Sequence, residues 1–275
     1  MTVAVIGDIG GHRAELLAAL VGLGVDPDEL LLPADLTVVQ IGDLVHRGPD
    51  SLGVLELVAD LMERNGSRWV QLAGNHEAQY LGRHTLFEWH ERLAPVASRM
   101  LRDWWADGRM VMAAAITSPG GDHLATHAGL TQGFWEQVLD GPGTAPYAAR
   151  ALNGLVATKS APVLFHGGVV LTGKVDETAG PIWAAAGEEL AVSWLDADTE
   201  LPFHQVHGHS SVRDWTAGRW RAPMRVQKRT VLDADARHTT VTLGRHRIVG
   251  VDPVLGREGG VRWAPYVIPG GSIVR

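Results

Sequence analysis

Five short apolar stretches of this chain each close on a small set of residues able to bind a metal ion. They read VAVIGDIGGH over residues 3–12, VVQIGDLVHRG over 38–48, VQLAGNHE over 70–77, LATHAGL over 124–130 and QVHGHS over 205–210. Short apolar runs bounded by glycine are the pattern of buried strands. Polar residues just past such strands line one edge of a sheet, where open α/β proteins hold their ligands. One residue of that kind marks a turn. Five stretches carrying Asp, Asn and His describe a shell of oxygen and nitrogen donors around a cation.

The individual residues divide that chemistry between them. Asp8 follows Gly7 at the end of the first run, where a carboxylate also suits a helix N-cap. The repeat of the same pair at Gly42-Asp43 is not explained by capping. Asp43 is the candidate to bridge two cations, which in paired sites sit roughly 3.5–4 Å apart and hold a nucleophilic water and a phosphoryl oxygen. Asn75 offers an amide oxygen and His76 an imidazole. Adjacent side chains diverge, so Asn75 suits the metal, and His76 suits proton transfer to a leaving oxygen at a reference pKa of about 6.5. His127 and His209 each follow an apolar run. His207, two residues before His209, would share its face on a strand. Arg47 lies close after Asp43, where a guanidinium grips phosphate oxygens in bidentate fashion or forms a surface ion pair.

Positioning these residues requires a particular order of elements. Residues 3–7, 36–41 and 69–73 read as strands, and 13–23 and 51–65 as the helices between them. That β-α-β-α-β order predicts parallel strands joined by crossover helices. Residues 78–107 read as a helical insertion whose Trp89, Trp104 and Trp105 fit core packing, or else a lid over the site. From Met110 the chain turns toward β structure. Residues 133–160 read as helical and loop-like, with a loop at Gly141–Pro146. Residues 226–233, 239–243, 246–251 and 261–268 read as short strands in a strand-rich tail. No linker interrupts the pattern, so the expectation is a single domain over 1–275.

Composition bounds the function classes. The chain has 275 residues, of which 45% are hydrophobic, and a net charge of 24 − 31 = −7. A filled core is therefore expected, and no basic block points to nucleic acid. There is no cysteine, which removes disulfides and thiol nucleophiles, while thirteen histidines supply nitrogen ligands. The first apolar run is interrupted by Asp8 and Arg13, unlike a signal peptide. No charge-free apolar stretch approaches a membrane span of about 18 residues. The expected location is the cytoplasm.

The motifs resemble those of the calcineurin-like metallophosphoesterases, in particular the phosphoprotein phosphatase branch with its bacterial serine/threonine phosphatases and dinucleoside polyphosphatases. That family carries GDxHG, GDxVDRG, GNHE, HxGL and GHT in this order, and here they stand as GDIGG, GDLVHRG, GNHE, HAGL and GHS. The resemblance runs from residue 3 to about 243. It includes LRDWWADGRMVMAAAI (101–116) as the passage after GNHE, and VLDAD (231–235) as the strand after GHT. It implies an α/β fold of two packed mixed β-sheets, a β-sandwich flanked by helices, with two divalent transition-metal ions between the sheets. By match, Asp8 binds the first ion, Asp43 bridges, and Asn75, His127 and His209 complete the second. His76 would protonate the leaving group, Arg47 would hold the phosphate, and an activated water would attack phosphorus in line. Relatives use manganese, iron or zinc, and manganese is the first expectation.

Three departures from the family pattern stand out. Gly10 replaces the family's first-metal His, and His12, which would have to reach back, His46 or water is expected to substitute for it. His46 replaces the Asp that orients the catalytic His. Ala184 and Ala185 follow Trp183 where some relatives place an Arg, which leaves Arg150, Lys174 and Arg213 as candidate phosphate contacts. The resulting expectation is hydrolysis of a phosphorylated protein or small molecule. The alternative is a catalytically impaired module that recognises phosphorylated ligands, and the bland one is a scaffold whose motifs persist as turns.

Overall fold

The computed structural model describes residues 1–81 and 89–274. In chain order the strands are β1 (Thr2–Ile6), β2 (Leu36–Gln40), β3 (Trp69–Leu72), β4 (Met110–Val111), β5 (Ala113–Thr117), β6 (His123–Thr126) and β7 (His204–His207), then β8 (Arg213–Asp214), β9 (Arg219–Trp220), β10 (Thr230–Asp233), β11 (His238–Leu243), β12 (His246–Gly250), β13 (Tyr266–Pro269) and β14 (Ser272–Val274). The helices are α1 (Arg13–Gly22), α2 (Ser51–Asn65), α3 (Asn75–Leu81), α4 (Pro95–Ala106), α5 (Gln132–Gln137), α6 (Ala145–Leu155), α7 (Val169–Thr172), α8 (Ala191–Asp196) and α9 (Met224–Gln227).

Two mixed sheets form. The first runs β13-β1-β2-β3-β4 and the second β10-β11-β12-β7-β6-β5-β14, with a separate β8-β9 ribbon. In the first sheet β1, β2, β3 and β4 are parallel and β13 joins β1 antiparallel. This is the crossover arrangement that the alternating strand and helix patterns dictate. In the second sheet β6, β7 and β12 are parallel neighbours.

Strand alternation holds the sheets together. Along β1, Val3 and Val5 point to one face and Ala4 and Ile6 to the other. Val3, Val5, Val39, Ile41 and Leu72 of the first sheet bury against Ala114, Ile116, Ala125, Val206 and Val249 of the second. Ala4 and Ile6 join the helix-side core with Leu16, Leu20, Val54 and Val58. Parallel strands buried on both faces must read as continuous apolar runs, which is how β1 and β2 read in the sequence.

Several elements differ from their expected form. Residues 226–233 do not form one strand, because Pro223 opens the helix α9 and Val226 is its buried anchor, leaving only Thr230–Asp233 as β10. The strand expected over 261–268 begins at Tyr266. Pro265 immediately before it has no N–H for a ladder, and Gly259 and Gly260 turn the chain with positive φ. Asn75, His76 and Glu77 open α3, ahead of the helical start expected at 78. VLDAD (231–235) lies at the outer edge of its sheet, and it is β12 that lies against the GHS strand β7. Within the expected insertion at 78–107, the end of α3 and all of α4 are helical, and 82–88 lie outside the described residues. Trp104 is core and Trp105 packs edge-on to Phe165 with ring centroids 6.2 Å apart, whereas Trp89 lies at the site described next. No described helix is long and apolar enough to cross a membrane.

Candidate active site

The C-terminal ends of β1, β2, β3, β6 and β7 release Asp8, Asp43, Asn75, His127 and His209 onto one edge between the sheets. All five are buried. Ligand atoms of Asp8, Asp43 and His127 lie within 4.8 Å of one another. His127 Nε2 is 2.9 Å from Asn75 Oδ1 and 3.3 Å from Asp43 Oδ1, and His209 Nδ1 is 2.9 Å from the same Asn75 oxygen.

The hydrogen bonds around the cluster leave several of its atoms as acceptors without a donor. His127 Nδ1 lies 2.8 Å from Ile41 O, a carbonyl that can only accept, so the ring proton sits on Nδ1. In the neutral ring Nε2 is then a bare lone pair, and it faces an amide oxygen and a carboxylate oxygen that are also acceptors. Lone pairs packed at these distances repel unless a cation lies among them. Asp43 Oδ2 and His209 Nε2 are buried with no hydrogen-bond partner among the described residues, which is costly in a site holding nothing. The donor set therefore fits a divalent transition ion.

Charge points the same way. Burial pushes Asp8 well above the usual carboxylate range, with Asp252 and Asp43 adding repulsion. Burial also raises Asp252. Burial opposes ionisation of Asp43 too, yet His76, His127 and Arg47 hold it low. Burial lowers His76 to about 4 and drives His209 well below its usual value, so both rings are neutral imidazoles at neutral pH. Arg47 then faces four buried carboxylates, Asp43, Asp252, Asp8 and Glu77.

The loop after β2 is held in an unusual conformation. Asp43, His46 and Arg47 have φ of +54°, +71° and +67°, and His209 has +63°. Each such residue costs about 1–3 kcal/mol and persists only where its surroundings over-determine it. Glu77 accepts from Asp43 N at 2.7 Å, Leu44 N at 2.8 Å and Gly74 N at 2.8 Å. Ser51 Oγ accepts from His46 N, and Glu91 accepts from both Arg47 N and Ser51 Oγ. Asp8 is aimed by His209 N, which donates to both its oxygens at 2.9 and 3.1 Å. Gly208 permits this, since any β-carbon there would collide with Asp8 Oδ1.

Beside the cluster runs a hydrogen-bonded file of Arg47, His76, His46 and Tyr80. Arg47 Nη2 lies 3.3 Å from His76 Nε2 and 4.0 Å from Asp43 Oδ2. A guanidinium only donates, so His76 Nε2 accepts and Nδ1 carries the proton. That proton points at His46 Nδ1, 2.7 Å away, and His46 Nε2–H in turn faces Tyr80 Oη at 2.7 Å. Trp89 sits edge-on to His76 at 4.7 Å and parallel to His46 at 5.9 Å. Burial lowers His46 to about 4 as well.

The other residues that the sequence singles out lie elsewhere. His12 is not brought to Asp8: its Nε2 bonds Gly256 O at 2.9 Å and ties down the loop after β12. His207 does not share a face with His209, because β7 ends at His207 and the positive φ of His209 breaks the alternation; His207 Nδ1 bonds Gly208 O instead. Arg213 stacks over Trp220 at 5.3 Å, and Arg150 and Lys174 are exposed, with no hydrogen bond or ion pair to the cluster among the described residues. Residues that sequence reasoning missed are Glu77, Tyr80, Glu91 and Asp252. Asp252 had a readable signal, since HRIVGVD (246–252) is one more apolar run ending in a carboxylate. A cavity of about 760 Å³ bordered by Met62, Trp69, Val111 and Val274 shares no residue with this site.

Comparison with known proteins agrees with the geometry. A family model described as calcineurin-like phosphoesterase matches residues 1–218. A bis(5'-nucleosyl)-tetraphosphatase (asymmetrical) of Geobacillus sp. is 31% identical over 150 residues, covering 49% of this chain and 60% of that protein. Serine/threonine-protein phosphatase 1 of Salmonella typhimurium is 39% identical over 77 residues, covering 28% and 30%. These matches span less than two thirds of either relative. The crystal structure of a cold-active protein-tyrosine phosphatase from a psychrophilic Shewanella superposes with a TM-score of 0.56 at 19% identity, covering 97% of this chain and 74% of that one, a likeness of fold.

Proposed function

This chain belongs to the calcineurin-like phosphoesterase family, and on that footing we propose that it hydrolyses a phosphate ester or phosphoanhydride using two divalent transition ions, manganese foremost, held by Asp8, Asp43, Asn75, His127 and His209. The observation that carries the reading is the convergence of His127 Nε2 with Asn75 Oδ1 and Asp43 Oδ1. Bound ions there would make a water nucleophilic at neutral pH and polarise the phosphoryl group.

The side chains supply the rest. Arg47, about one-third exposed, is the group placed to meet a phosphate, and its planar fork binds two oxygens at once. When Arg47 turns from His76 to the phosphate, His76 Nε2 is released to take a proton from the attacking water and return it to the leaving oxygen. His46 fixes the His76 ring by accepting from Nδ1. Trp89 at the ring edge restricts water on that side. Similarity to a dinucleoside tetraphosphatase and a serine/threonine phosphatase supports a phosphorylated small molecule or protein as substrate.

The purified protein, reconstituted with manganese, is expected to hydrolyse an aryl phosphate and a dinucleoside tetraphosphate, and Asp43→Asn to abolish both. Equal rates for wild type and Asp43→Asn would end the proposal. A second reading, a phosphate-recognising module without turnover, draws on Gly10 and His46, and tight phosphate binding with no hydrolysis under several metals would favour it.

A further inference from the structure

An imidazole at position 46 has a requirement that a carboxylate there would not. A carboxylate accepts with both oxygens, whereas a neutral imidazole has one donor and one acceptor nitrogen, and its partners decide which is which. His46 can receive the His76 Nδ1 proton only if its own proton sits on Nε2. Burial makes that condition strict. His46 is 0% exposed, so a ring N–H left without an acceptor has no solvent to turn to.

Tyr80 meets the requirement. It stands four residues after His76 in α3, on the same face of the helix. The His46 ring lies across that face, its Nδ1 2.7 Å from His76 Nδ1 and its Nε2 2.7 Å from Tyr80 Oη. The ring centroid of His46 is 4.9 Å from that of His76 and 5.6 Å from that of Tyr80. Held at both nitrogens, the ring cannot flip without breaking two hydrogen bonds. Leu93 N donates to Tyr80 Oη at 3.3 Å and fixes the hydroxyl in place, while Trp89 stacks parallel to His46. A phenol oxygen can donate or accept. Arg47 selects the direction. Were Tyr80 to donate, the file would reverse and His76 Nε2–H would face Arg47 Nη2 at 3.3 Å, donor against donor.

We infer that Tyr80 is a positioning residue for the reaction: by accepting from His46 Nε2–H it makes His46 Nδ1 the acceptor for His76, and so leaves His76 Nε2 as the lone pair turned toward Arg47 and the substrate. The inference rests on the hydrolase reading above and deepens it. The orienting group beside His76 is then a pair, His46 with Tyr80, in which the imidazole supplies the contact and the phenol sets its tautomer.

The test is nitrogen-15 NMR of the histidine-labelled full chain loaded with zinc, a diamagnetic ion, with the two rings assigned from His46→Gln and His76→Gln. Steady-state kinetics on an aryl phosphate with manganese accompany it. Wild type is expected to show His46 protonated on Nε2 and His76 on Nδ1. Tyr80→Phe removes the acceptor and keeps the ring. It is expected to bring up the opposite tautomer at both histidines and to lower kcat about tenfold with KM within about twofold of wild type, since Arg47 is untouched. A Tyr80→Phe kcat equal to wild type overturns the inference. A loss of kcat with both tautomers unchanged also overturns it, since a merely structural role gives that result. Should Tyr80→Phe fail to fold, the wild-type spectrum decides, and His46 protonated on Nδ1 overturns the inference. Those results with an active wild type leave the hydrolase reading intact, whereas a wild type without hydrolysis overturns that reading and the inference with it.

Discussion

Replacing Glu189 by Gln is expected to destabilise the protein by about 3 kcal/mol, although Glu189 touches neither substrate nor metal ligand. Glu189 is 2% exposed and lies in the turn Ala186–Leu190 before α8. Its Oε1 accepts from Val169 N and Asp176 N, and its Oε2 from Ala185 N, all at 2.8 Å. These bonds pin three points of the segment carrying Trp183, whose ring meets His209 edge-on at 5.7 Å. A glutamine has one accepting oxygen. In its better orientation the oxygen keeps Val169 N and Asp176 N, and the NH₂ then faces Ala185 N–H, donor against donor. The unsatisfied buried N–H costs about 1–3 kcal/mol, and the two bonds retained weaken by about 0.5–1 kcal/mol each on losing charge assistance. Glu189→Ala strands all three donors and should cost about 5 kcal/mol. Equilibrium urea denaturation at pH 7 reads both values, and amide exchange should show protection lost at Val169, Asp176 and Ala185. A loss below about 1 kcal/mol for Gln, or an Ala variant no worse than Gln, would refute the reasoning.

Two other outcomes are expected. Arg47→Lys keeps the charge but loses the planar fork and should raise KM about tenfold with a smaller change in kcat, as steady-state kinetics would show; an unchanged KM would remove Arg47 from phosphate binding. Burial lowers His123 to about 4, its ring packed 4.7 Å from that of His204. The native state therefore binds fewer protons than the unfolded chain between pH 6.5 and 4. Its contribution is present above pH 6.5 and is lost as pH falls toward 4, by about 3 kcal/mol. His123→Phe should flatten that slope in pH-dependent denaturation, and an unaltered slope would place the titration elsewhere.

The strand ends are legible in the sequence because parallel strands buried on both faces must be apolar throughout and must finish in something polar. Asp8, Asp43, Asn75, His127 and His209 all follow from that one rule, and the structure brings the five together. Asp252 obeys the same rule and escapes because its run lies in the tail, past the residues that resemble the family and past 218, where the family model ends. Nothing local says that β12, rather than β10, inserts beside β7; strand order is set by long-range packing. The Glu91–Ser51–Arg47 bonds join residues forty or more apart, and no spacing reveals them. Proximity to Gly10 makes His12 look like a substitute ligand, but chain direction after Gly11 carries its ring to Gly256 instead. The helix α9 reads as strand in the sequence because Val226 is β-branched, while Pro223 and burial of one side chain decide the local structure.

Anomalous diffraction from crystals of the manganese-loaded protein, recorded above and below the metal's absorption edge, would locate the ions directly. One peak is expected within the cage of Asp43, Asn75, His127 and His209, and a second on the Asp8 side of Asp43. Manganese bound to the chain with no peak touching Asp43 would contradict the assignment of these residues as the catalytic centre.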